Sequence, residues 1–90
     1  MKINHSSRFK RYFKKLPPHI QDDFCKRIKI FFNNPFDPSL QTHKLHGNLA
    51  SYYAFYLRDG YRVLFDFKES DVVLLVNIGS HNDYQKWSRR

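Results

Sequence analysis

The apolar residues of this chain change their spacing half-way along. From Phe9 to Phe31 they recur at the interval of a helix face, and from Tyr52 to Phe67 they alternate, one in and one out. A helical period and a strand period cannot serve each other's geometry, so the order of elements is set: helices first, then a sheet. Within the helical part, Phe9, Tyr12, Phe13 and Leu16 line one face, with Arg8, Lys10, Arg11, Lys14 and Lys15 between them. Ser6 or Ser7 can cap this helix, because a serine hydroxyl accepts from an orphan N–H of the first turn. Pro17-Pro18 ends it: a proline disfavours helical geometry at the residue before it, and the second proline can open the next helix. Ile20, Phe24, Ile28 and Phe31 continue the pattern, predicting a second helix over His19–Phe32 and hence a helical hairpin.

The second half reads as strands. Lys2-Ile3-Asn4 is a candidate short first strand, and Asn33–Pro38 is a loop by composition. Gln41–Ala50 is polar, with Gly47-Asn48 as a turn. Tyr52–Leu57 puts Tyr53, Phe55 and Leu57 on one face and Tyr52, Ala54 and Tyr56 on the other. Asp59-Gly60 signals a hairpin, since such turns need positive φ. Tyr61–Phe67 then sends Tyr61, Val63, Phe65 and Phe67 one way and Arg62, Leu64 and Asp66 the other. Val72–Ile78 reads as continuously apolar, hence as a central strand. Gly79-Ser80 breaks it, and His81–Arg90 is a short, partly helical tail. The expected fold is α+β: one domain over residues 1–90, with a two-helix hairpin on one face of a small antiparallel sheet in the order β-α-α-β-β-β. The other face would carry Tyr52, Tyr56, Arg62 and His81, an aromatic and cationic surface suited to nucleic acid.

Composition narrows the partners. At 90 residues the chain buries a thin core, which nine Phe and six Tyr are well suited to fill. With 41% hydrophobic residues it is too apolar to be disordered, even at a net charge of +8. Sixteen Lys and Arg face eight Asp and Glu, and more than half of the basic residues fall between Lys2 and Lys29. That balance points to nucleic acid or an acidic protein segment; a solvated helix face is the plainer reading. Cys25 is the lone cysteine. It excludes an internal disulfide and two-cysteine metal motifs, fits a reducing cytosol, and reads as a small buried apolar side chain. The opening residues have no apolar signal core, and no run is long enough to span a membrane.

Several fragments, in order, resemble the RelE/ParE superfamily of bacterial toxin–antitoxin proteins: Lys15-Leu16-Pro17, Asn34-Pro35, His43-Lys44-Leu45-His46-Gly47, Gly60-Tyr61-Arg62-Val63-Leu64-Phe65, and Val76-Asn77-Ile78-Gly79-Ser80-His81-Asn82-Asp83-Tyr84. The resemblance covers nearly the whole chain. It implies a cytoplasmic, ribosome-associated mRNA endonuclease of the RelE or YafQ branch, working without metal or other cofactor and neutralised by a cognate antitoxin encoded nearby. It also admits the ParE branch, which inhibits DNA gyrase, and a degenerate toxin that only binds its antitoxin. It implies a phosphate-contacting role for Arg62, catalytic roles for His81 and His43, and an active-site aromatic at Tyr84 or Trp87, with Tyr84 favoured for its closeness to His81. The chain departs from the family where RelE carries paired lysines, reading Tyr53-Ala54-Phe55-Tyr56, and its Tyr56 falls about where YafQ has a histidine.

The chemistry fits those residue types. Cutting RNA through its own 2′-hydroxyl needs a base, an acid and a cation for the phosphorane. Imidazoles can serve as acid or base, and a guanidinium can bind phosphate oxygens bidentately. Tyr84 and Tyr56 would stack on bases or orient the phosphate, while Lys44 and His46 would hold the RNA backbone. The plainer readings are a surface role for each histidine, an ion pair from Arg62 to Asp66 or Asp59, and ordinary sheet packing for the tyrosines. His43 and His46 are spaced closely enough for zinc, but no further ligand pattern accompanies them.

Overall fold

Ser6, of the two candidate caps, starts the first helix. Its Oγ accepts from the Phe9 N–H at 3.0 Å and donates to the Val76 carbonyl at 2.7 Å, so one hydroxyl both caps the helix and ties it to the last strand. In the computed structural model, which describes residues 1–88, the order is β1 (Lys2–His5), α1 (Ser7–Lys14), α2 (Pro18–Asn33), β2 (His43–Lys44), β3 (Tyr53–Tyr56), β4 (Arg62–Glu69), β5 (Val72–Gly79) and α3 (His81–Ser88). Short 3₁₀ turns occupy Pro38–Leu40 and Gly47–Leu49. Asp37 caps the first of these. Hydrogen bonds from the Ser39 hydroxyl and N–H hold its carboxyl below the usual carboxylate range. Residues 89 and 90 of the expected tail lie outside the described residues.

The expected α+β class and the β3–β4–β5 antiparallel meander are present. The sheet differs from a purely antiparallel one in its outer strands. It has five strands in the order β1-β5-β4-β3-β2, and β1 pairs with β5 in parallel, Lys2 opposite Val72. Strand β2 adds antiparallel to β3 through His43–Ala54 and Lys44–Tyr53. Because β1 stops opposite Leu75, the rest of the β5 edge is left to α1, which packs along it.

The core lies between the helical hairpin and one face of the sheet. Phe31 of α2 is fully buried, with its ring 4.9 Å from both Phe55 and Phe65. Phe24 joins the helices, meeting Phe9 at 5.6 Å and Phe13 at 5.3 Å. Cys25, expected inside, is exposed, because the helix face that carries Ile20, Phe24, Ile28 and Phe31 leaves it outside. Polar contacts fix α2 to the β3–β4 turn. Asp23 Oδ2 accepts from Arg27 Nε at 2.8 Å and from the Arg58 N–H at 2.9 Å, and His19 meets Asp59 at 3.0 Å. In that turn Asp59 has φ 57° and Gly60 φ 76°, and the Tyr61 N–H donates to the Arg58 carbonyl. This is the hairpin turn that Asp-Gly predicted.

The opposite face of the sheet is not uniformly polar. Leu45, Leu49, Ala54 and Leu64 are buried there beneath Tyr84 and Trp87 of α3. The expected tail is therefore a packed helix, and the expected aromatic, cationic face is confined to one end of the sheet. Nor is β5 apolar throughout: Asn77 is 2% exposed, and its Oδ1 accepts from the Ile78 N–H at 3.1 Å. The pairing shifts there, Leu64 facing Asn77 but Phe65 facing Leu75, so Val76 is an extra residue in a β-bulge. The bulge moves the alternation by one, which turns Ile78 into the core and Gly79 to the outer face. Among the described residues no helix is long and apolar enough to cross a membrane.

Candidate active site at the open end of the sheet

Three strands set one row of side chains. Tyr56 of β3 pairs with Arg62 of β4, and Arg62 pairs with Gly79 of β5. Paired residues project to the same face, and Gly79 contributes no side chain, so the start of α3 can close over that position beside Arg62. The Arg62 guanidinium lies 4.9 Å from the Tyr56 ring and 4.9 Å from the Tyr84 ring, held between two π faces. It also donates to the Gly60 carbonyl, from Nη2 at 3.2 Å. The carboxylates that could have neutralised it are engaged elsewhere: Asp66 with Lys68 at 3.1 Å and Asp59 with His19. Arg62 is thus a cation ordered by rings rather than by an ion pair.

His81, the first residue of α3, completes this group. Arg62 Nη2 donates to its Nδ1 at 3.2 Å. An imidazole that accepts at Nδ1 keeps its proton on Nε2. Gln85 is 3.2 Å from that Nε2, one helical turn on. The pairing is satisfied when the Gln85 amide presents its oxygen there. On the other side of Tyr56, the His43 ring lies 5.4 Å away, and its Nδ1 is 3.1 Å from the Gln41 carbonyl. Nδ1–H donates to that carbonyl, which leaves the Nε2 lone pair of His43 facing solvent.

The structure therefore brings His43, Tyr56, Arg62, Tyr84 and His81 into one continuous chain of contacts. The other two candidates stand apart. Lys44 pairs with Tyr53, so the pleat sends it to the helix side of the sheet, away from His43. His46 is exposed ahead of the Gly47–Leu49 turn. Of the two C-terminal aromatics, Tyr84 meets Arg62, whereas Trp87 is next to Tyr84 at 6.5 Å and packs toward the Leu45–Leu64 cluster.

No protein-family model matches the chain, and no curated protein does. Solved structures do. The YafQ structure from E. coli strain BL21(DE3) aligns with a TM-score of 0.77 at 13% identity, over 92% of this chain and 96% of that one. A YoeB/ParE toxin from Agrobacterium tumefaciens aligns at 0.75 and 14%, over 90% and 99%. The RelB–RelE antitoxin–toxin complex from Methanococcus jannaschii aligns at 0.74 and 17%, over 93% and 96%. The fold is that of the RelE-like toxins.

Within this RelE-like fold, the sequence reading missed the residues that aim His81. Ser80 and Asp83 cap α3: Asp83 Oδ2 accepts from the Ser80 N–H at 3.0 Å and from its hydroxyl at 3.1 Å. The signal was present as Ser80-His81-Asn82-Asp83, a Ser-x-x-acid box. Gly79 belongs to the same device, because a Cβ there would come within 2.7 Å of Asp83 Oδ2 and 2.9 Å of Asp83 Cβ. Gln85 was likewise missed, and its only signal was the four-residue spacing from His81.

Proposed function

We propose that this protein is the toxin of a toxin–antitoxin pair and acts as an endoribonuclease on mRNA held by the ribosome. The observation that carries the reading is the Arg62 guanidinium between two tyrosine rings, with the His81 imidazole 3.2 Å away and His43 beyond Tyr56. In this reading His43 Nε2 takes the proton of a 2′-hydroxyl as its oxygen attacks the adjacent phosphorus. Arg62 binds the phosphorane oxygens as charge builds on them. His81, protonated at both nitrogens once the Arg62 guanidinium turns from its Nδ1 to the phosphate, gives the proton on Nε2 to the departing 5′-oxygen as the P–O bond breaks, and is left as the neutral imidazole. The products are a 2′,3′-cyclic phosphate and a free 5′-hydroxyl. Tyr56 and Tyr84 hold the guanidinium and offer faces to the flanking bases. Lys44 and His46 act outside this centre as contacts to the RNA backbone.

The solved structure of RelE with its RelB antitoxin supports extending the pairing to this chain. Its own surface supplies what such a partner needs. Phe32 and Phe36 are 52% and 53% exposed on a molecule of net charge +8, which suits an acidic segment with apolar anchors.

The test is a translation reaction read by primer extension. The wild-type protein should leave discrete cuts in the message, and H81A and R62A should each lower cutting by about 10²-fold or more while keeping the wild-type circular dichroism. Full cutting by either variant refutes the assignment. Intact message with inhibited gyrase supercoiling would select the ParE-like alternative.

A further inference from the structure

A cleft of ≈350 Å³ opens on the far side of α3 from the Arg62–His81 cluster, between that helix and the end of α1. Three aromatic side chains, Tyr12, Tyr61 and Trp87, and two lysines, Lys15 and Lys86, line it. Its one carboxylate, Asp83, is turned to the Ser80 N–H and hydroxyl and makes no ion pair with either lysine among the described residues, so the cleft keeps a net positive charge. Lys15 Nζ lies 5.9 Å from the centre of the Tyr12 ring, which sets a cation beside a π face. The volume is at the small end of ligand pockets, where a single nucleotide rather than a helix or duplex fits. Aromatic walls with cations at the rim match a base and its phosphate, the stacking and charge that single-stranded nucleic acid offers at every step.

The cleft also adjoins the cluster. Tyr84, against Arg62, and Trp87, in the cleft wall, have ring centres 6.5 Å apart. We propose that this cleft holds the nucleotide next to the scissile one, its base against Trp87, Tyr61 or Tyr12 and its phosphate on Lys15 and Lys86. The inference rests on the reading of the Arg62–His81 cluster as an RNA-cutting site. It adds a second contact along the strand and so sets the direction in which the RNA crosses α3.

Trp87 is the single tryptophan of the chain, so its fluorescence reports on the cleft without a label. The probe is a trinucleotide with 2′-deoxy groups at its first and second residues, so that neither phosphodiester has an attacking hydroxyl, titrated into wild-type, K15A/K86A and R62A proteins at several salt concentrations. The trinucleotide should quench Trp87 in the wild type and in R62A. In K15A/K86A the slope of log affinity against log salt should fall by about 0.7, the contribution of the one phosphate that the two lysines neutralise on a single strand. No change in Trp87 emission, or an unchanged slope in the double variant, overturns the proposal. Equal affinity for adenosine monophosphate would make the cleft a free-nucleotide site and overturn the strand reading. Failure of the nuclease reading would show separately, as intact mRNA with the wild-type protein while the Trp87 titration still gives its result.

Discussion

Arg62 is placed by contacts that depend on its shape as well as its charge. A flat guanidinium can lie between the Tyr56 and Tyr84 rings and still donate along its edge to Gly60 and His81. A lysine has no such edge and no face to stack. R62K should therefore keep much of the attraction for RNA and lose cutting on the order of 10²-fold, measured as cleavage rate against binding in one preparation. Equal losses in both would mean that Arg62 serves only to bind. The sequence placed Arg62 and Tyr56 on one outer face and His81 just after the last strand, and the structure has them adjoining there. It could not show that Lys44 departs from its neighbour His43. A two-residue strand is too short to display an alternation, and its pairing with Tyr53 and Ala54 exists only in three dimensions.

At the scale of elements, two small devices hold the site. Ser6 caps α1 and gives its proton to the Val76 carbonyl, which the bulge has left outside the ladder. S6A should cost about 2 kcal/mol in urea unfolding, one part for the cap and one for the carbonyl left without a donor; an unchanged midpoint would refute that coupling. The second device is the close approach of Gly79 to Asp83. G79A should destabilise by about 1–3 kcal/mol and reduce cutting further, because the start of α3 carries His81. G79A/D83A should recover part of that loss, a non-additivity that a double-mutant cycle measures directly. Helices, hairpin turn and meander were legible, because each has its own period or turn chemistry. The direction of β1 was not, since an extended segment has the same alternation whichever way it runs. The bulge left a trace only as Asn77, a polar residue in an otherwise apolar strand.

For the whole molecule, one aromatic centre does most of the joining. Phe31 is the point where α2 meets β3 and β4, and its removal leaves a cavity that so thin a core cannot collapse to fill. F31A should cost about 3–5 kcal/mol, a large share of the roughly 5–15 kcal/mol that holds a small domain together. F32A, on an exposed position of the same helix, should leave the urea midpoint within about 0.5 kcal/mol of wild type. If the two variants unfold alike, the core has been misplaced.

The parallel strand has a consequence for when the protein can come into being. Among the described residues, 2–5 find their only strand partner in residues 72–75, and the Ser6–Val76 hydrogen bond spans 70 positions of the chain. A polypeptide still being synthesised has nothing against which to lay its first strand until residues 72–75 have left the exit tunnel. The row through Tyr56, Arg62 and Gly79 is completed only after that strand has emerged, so a fragment that stops before residue 72 lacks both the partner of β1 and the last member of the row.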